Sequence, residues 1–74
     1  MNVKFDEKSW EDYLYWLETD EKVLKCLNDF IIDIRDNPES FKKDISGNIS
    51  RQINNEHRII CEVDEETIYI KSCR

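Results

Sequence analysis

Few side chains in this 74-residue sequence are of types that do chemistry: a single histidine, His57, three cysteines, and eleven Lys and Arg set against seventeen Asp and Glu. Cys26, Cys61 and Cys73 are an odd number with no pair at C-x-x-C spacing, which is poor material for a disulfide framework or a zinc site. No metal and no cofactor is implied. His57, standing alone, reads as a turn residue with a satisfied ring rather than as an acid. The cations are unevenly shared. Residues 1–37 carry five Lys and Arg against ten acids, and residues 38–74 carry six against seven. Phosphate is held by clustered Lys and Arg, so the acidic whole does not favour nucleic acid. If RNA is bound at all, the second half is its face. There Lys42, Lys43, Arg51, Arg58, Lys71 and Arg74 are either a broken basic patch or an ordinary mixed-charge surface.

Those residues must be positioned by one small domain, residues 1–74, since the length leaves no room for a second. Such a chain buries only about 60–65% of its unfolded surface, so its stability is modest. Asn2 to Phe5 alternates as a brief strand. Asp6 is a plausible N-cap, and Trp10, Tyr13, Leu14 and Leu17 fall at i, i+3, i+4 and i+7, one apolar stripe on a helix running to about Glu18. On that reading Trp10 and Tyr13 are core, while Tyr15 and Trp16 serve the helix hairpin or a partner surface. Thr19-Asp20 breaks the stripe and caps a second helix lined by Val23, Leu27, Phe30, Ile31 and Ile34. So short a turn makes the two helices antiparallel. Asp36 to Gly47, with the only Pro and the only Gly, is the loop. Beyond it the period changes to two, around Ile49–Ile53, Ile59–Val63 and Thr67–Cys73, with turns at Asn54-Asn55 and Asp64–Glu66. Helices followed by a three-stranded meander make the class α+β, a short N-terminal strand and a helical hairpin packed on a small, mainly antiparallel sheet. No signal-length or membrane-length apolar run is present, so the expected compartment is cytoplasmic, with no membrane partner. Without a secretory route, the sequon Asn48-Ile49-Ser50 is chance.

Several segments together resemble the Txe/YoeB toxins of type II toxin–antitoxin systems, within the RelE/ParE superfamily. Ser9-Trp10-Glu11-Asp12-Tyr13-Leu14-Tyr15-Trp16 and Glu18-Thr19-Asp20 are similar to that family's opening helix nearly letter for letter. Ile45-Ser46-Gly47, Ser50-Arg51, Ile53-Asn54 and Glu56-His57-Arg58-Ile59 resemble its central stretch, and Ser72-Cys73-Arg74 its closing strand. The similarity covers essentially the whole chain, with a contracted central loop. The resemblance implies a RelE-like fold and an antitoxin of YefM/Axe type that wraps the toxin in a hetero-oligomer. It also implies messenger RNA cut on the ribosome.

Metal-free RNA cleavage needs a base for the 2′-hydroxyl proton, a cation for the phosphoryl oxygens and an acid for the leaving 5′-oxygen. Pro38-Glu39-Ser40-Phe41-Lys42 resembles the loop segment that carries the family's base, which makes Glu39 the candidate. Arg58 matches the family's catalytic arginine in E-H-R. The competing reading pairs it with Glu56 or Glu62 on a strand surface. Arg51 matches the first arginine of the family's S-R-R, contacting RNA backbone or lying on the solvated sheet face, while Gln52 replaces the second. Lys42, Lys43, Lys71 and Arg74 are candidate RNA contacts. The family continues past C-R into Y-H-Y, whose histidine is the acid; this sequence stops at Arg74. The nuclease reading expects Glu39 and Arg58 to converge on one concave spot of the sheet. Its rival is a catalytically degenerate relative that binds an antitoxin or regulates. The contracted loop, the absent tail and the acidity favour that rival.

Overall fold

Asp6 and Ser9 cap the first helix reciprocally: the Asp6 carboxylate accepts from the Ser9 amide at 2.7 Å and the Ser9 hydroxyl accepts from the Asp6 amide at 3.0 Å. That box starts α1, Glu7–Thr19, directly after strand β1, Asn2–Phe5. In the computed structural model, which describes residues 1–74, Asp20 ends one helix and begins the next. Its amide donates to the Trp16 carbonyl, and its carboxylate accepts from the amides of Lys22 and Val23 at the start of α2, Glu21–Asp36. One aspartate therefore makes the hairpin turn that the sequence places at Thr19-Asp20. Pro38 follows α2 and disfavours helix at Asn37. A single 3₁₀ turn, Pro38–Ser40, leads into the connection to the sheet.

Three antiparallel strands follow, β2 (Asn48–Gln52), β3 (Arg58–Val63) and β4 (Thr67–Ser72). Asn54 turns the first hairpin, its side-chain oxygen accepting from the amides of Glu56 and His57; Asp64 turns the second by accepting from Glu66 and Thr67. β1 pairs in parallel with β4, giving the order β1-β4-β3-β2. The meander is as expected, and β1 makes the sheet mixed.

Both helices lie on one face of this sheet. Leu27, Phe30 and Ile34 of α2 meet Ile49 of β2, Ile59, Cys61 and Val63 of β3, and Ile68 and Ile70 of β4. The period-two alternation puts Ser50, Arg58, Glu62, Tyr69 and Lys71 on the opposite, open face, where Lys71 pairs with Glu62 at 3.2 Å.

The first helix departs from expectation. Trp10 is 47% exposed and Leu17 52%, whereas Ser9, Asp12 and Trp16 are buried. The face turned inward is offset from the stripe counted by hydrophobicity alone, and Trp16, assigned above to packing or a partner surface, is core. The reason is what lies beneath α1. Cys73, just past β4, has backbone groups needing partners, and hydrogen-bonding side chains answer them. Trp10 instead stacks on Tyr13, with Phe5 edge-on to both.

Candidate functional site

Arg58 opens β3 at the tip of the β2–β3 hairpin, where its guanidinium donates to the Ser50 hydroxyl at 3.2 Å. It pairs with no carboxylate. Glu62 is taken by Lys71, and Glu56 comes nearest to His57, at 3.9 Å. The competing reading of Arg58 as a paired surface arginine is therefore not what the structure has. Gln52, Asn55, Glu56 and His57 line a cavity of about 200 Å3 with it. A guanidinium free of carboxylates keeps its fork of donors for an incoming oxyanion.

His57 is a turn residue as expected. Its ring is held by packing, edge-on to Trp16 at 5.0 Å between centroids. Trp16 also donates its indole N–H to the Cys73 carbonyl at 2.6 Å. Beside it Arg74 lies over the Tyr15 ring, 3.6 Å from its centroid, and Tyr15 is edge-on to Trp16. One end of the sheet thus gathers Tyr15, Trp16, His57, Arg58 and Arg74. The aromatic pair of α1 carries no periodic signal of that role; the sequence reading missed it because Trp16 falls outside the counted stripe.

Glu39 stands elsewhere. It lines a cavity of about 610 Å3 with Met1, Pro38, Phe41, Lys43, Val63, Asp64 and Glu65, at the far end of β3 from Arg58. Five strand steps of about 3.3 Å separate the two ends by roughly 16 Å. The expected convergence of Glu39 and Arg58 on one concave spot is not what the structure has. The physical cause is local. α2 runs down to Asp36 at that end, and the short connection is then fastened by Phe41, edge-on to Phe30, and by Lys43, whose amine donates to the Val63 carbonyl at 3.0 Å.

The six cations are likewise dispersed. Arg51 is on the helix-covered face, not the solvated one: its guanidinium lies 4.6 Å from the Phe30 ring centroid and 3.6 Å from the Asp33 carboxylate. Lys43 is at the Glu39 end, Lys42 on the exposed connection, Lys71 on the open face, and Arg58 and Arg74 at the hairpin-tip end. A single continuous basic patch is not formed.

Burial keeps two thiols quiet. Desolvation pushes Cys61 up to about 11; desolvation and then the nearby Asp12 carboxylate push Cys73 up to about 12. Cys26 is exposed on α2. No helix is long and apolar enough to cross a membrane.

With this geometry in view, comparison with known proteins is consistent along the chain. Toxin YoeB of Escherichia coli is 40% identical over 81 aligned positions, covering 100% of this chain and 96% of that protein. The YoeB dimer of Staphylococcus aureus superposes with a TM-score of 0.88 at 34% identity, covering 100% of this chain and 94% of that one. YoeB in a heterotetrameric YoeB–YefM complex from the same organism gives 0.84 at 34% identity, with the same coverage. The 81 aligned positions exceed the 74 residues here, in keeping with a contraction in this chain. The model of the YoeB-like toxins of bacterial type II toxin–antitoxin systems matches residues 5–74, and this chain belongs to that family.

Proposed function

We propose that this chain is the toxin of a toxin–antitoxin pair and cleaves messenger RNA on the ribosome, without a metal, in the cytoplasm where ribosomes are. Arg58 carries the reading. It is an exposed guanidinium in E-H-R, committed to no carboxylate, on the sheet face that the helices leave open. In the reaction a base takes the 2′-hydroxyl proton, the oxygen attacks the adjacent phosphorus as the P–O5′ bond breaks, Arg58 meets the charge that builds on the phosphoryl oxygens, and the departing 5′-oxygen takes its proton from water. Glu39, roughly 16 Å away at the far end of β3, does not reach the phosphate that Arg58 meets, so no base and no general acid is assigned among residues 1–74. Arg74 and Lys71 lie near enough to the open face and hairpin tip to hold flanking phosphates. Lys42 and Lys43 belong with Glu39, and Arg51 steadies the sheet from the helix side. The partner is an antitoxin of the YefM type, as in the complex of the Staphylococcus aureus relative.

One observation favours a second reading. Glu39 and Arg58 line separate cavities at opposite ends of β3, so this fold can be a non-cleaving relative that titrates an antitoxin away from an active toxin or serves as a regulatory subunit. Purified protein incubated with bacterial ribosomes and message separates the two. Cuts at codon-defined positions, blocked by antitoxin, are the expected result. Tight antitoxin binding with intact message decides for the second reading.

A further inference from the structure

The stretch Ser9–Trp16 is the most distinctive in the sequence, yet the proposed chemistry uses none of it. Its buried residues converge on one position, Asp12 and Trp16 through their side chains and Ser9 through its backbone carbonyl. The Cys73 amide donates to the Asp12 carboxylate at 3.3 Å, the Cys73 carbonyl accepts from the Trp16 indole at 2.6 Å, and the Cys73 thiol faces the Ser9 carbonyl at 3.7 Å. β4 ends at Ser72, so these α1 side chains replace the ladder partners that a continuing strand would have. Asp12 is only 6% exposed, and its remaining partner is Lys8 one turn earlier at 3.3 Å. A near-buried carboxylate carries a desolvation cost that an apolar residue under the helix would not. It does what an apolar residue cannot: it grips a backbone amide. Trp16 meanwhile touches the His57 ring, and Tyr15 touches both Trp16 and Arg74.

We propose that Asp12 and Trp16 are positioning residues: by clamping both backbone polar groups of Cys73 they hold Arg74 beside the hairpin tip that presents His57 and Arg58. The catalytic consequence rests on the nuclease reading; the positioning itself does not.

Trp16→Phe keeps a ring against His57 and removes the indole donor. It is expected to slow message cleavage by on the order of tenfold without weakening ribosome binding, since small misplacements act on the chemical step. In an Arg74→Ala background the same substitution should add nothing; an equal loss in both backgrounds marks Trp16 as merely structural and overturns the proposal. Magnetic resonance of the free protein gives a reading independent of cleavage. Trp16→Phe and Asp12→Ala should abolish the Arg74–Tyr15 contact and the slow exchange of the Cys73 amide, while Ile59 and Ile68 amides stay protected. Retention of the Arg74–Tyr15 contact in both variants overturns the proposal. If the unmodified protein cuts nothing, the nuclease reading falls alone and these spectra decide. If Trp16→Phe fails to fold, Asp12→Ala carries every measurement.

Discussion

The two ends of the sheet are built on different terms. At the hairpin-tip end, residues from three separate elements interlock: Tyr15 and Trp16 from α1, His57 before β3, and the Cys73 backbone and Arg74 side chain beyond β4. At the other end, Glu39, Asp64 and Glu65 surround a cavity on short turns, tied down by Phe41 and Lys43. The first end is cationic and its residues hold one another across long sequence separations. The second is acidic, and its long-range ties, Lys43 to Val63 and Asn2 to Glu66, run through backbone carbonyls and leave the carboxylates of Glu39 and Glu65 unpaired. Arg58 stands at the first end, its guanidinium steadied by Ser50 on the neighbouring strand and uncommitted to any carboxylate, as a phosphate site requires.

Substitutions can break this contrast or sharpen it. The largest expected contrast is between Arg58→Ala and Glu39→Gln, since Glu39 stands roughly 16 Å from Arg58 and its loss should leave cleavage nearly unchanged. A loss of about 10²-fold with Glu39→Gln would bring the acidic end into the reaction. Arg58→Ala should lower cleavage by about 10²–10³-fold and relieve growth arrest when the protein is expressed without antitoxin. Because Arg58 is exposed, its removal should leave the thermal midpoint nearly unchanged. Toxicity equal to that of the unmodified protein takes Arg58 out of the mechanism. A loss with Arg58→Ala alone would make the hairpin-tip end self-sufficient.

Thiol labelling probes the same contrast less forcefully. The thiolate is the reactive form, and burial holds Cys61 near 11 and Cys73 near 12, so only Cys26 should alkylate at mildly alkaline pH. Mass spectrometry should find one adduct on the folded protein and three after denaturation. A second rapid adduct at Cys73 would mean that the α1 clamp opens readily.

The smallest effect is on acid stability, and both ends contribute. Asp6 is held below its ordinary 3.8 chiefly by the Ser9 amide, and Asp64 chiefly by the Glu66 amide. A carboxylate depressed in the folded state lends stability above its unfolded value and loses it as pH falls through the folded one. Thermal midpoints should hold down to about pH 4 and decline below it. Asp6→Asn and Asp64→Asn should each flatten that decline slightly; an unchanged acid limb in both would remove these caps from the account.

Much of the molecule was legible in local terms. Caps such as Asp6 and Asp20, the α2 face from Val23 to Ile34, the turn at Asn54 and the strand alternation all depend on residues a few positions apart, which is the range that propensity and period describe. What the tertiary structure alone decided are relations across the chain. Trp16 became core because Cys73 lay beneath it, Arg51 turned to the helix side because Phe30 and Asp33 faced it, and Glu39 stayed at the far end because α2 and Phe41 led the connection there. Each depends on which elements come to lie against one another, and a count of apolar residues along one helix or strand carries no record of its neighbours.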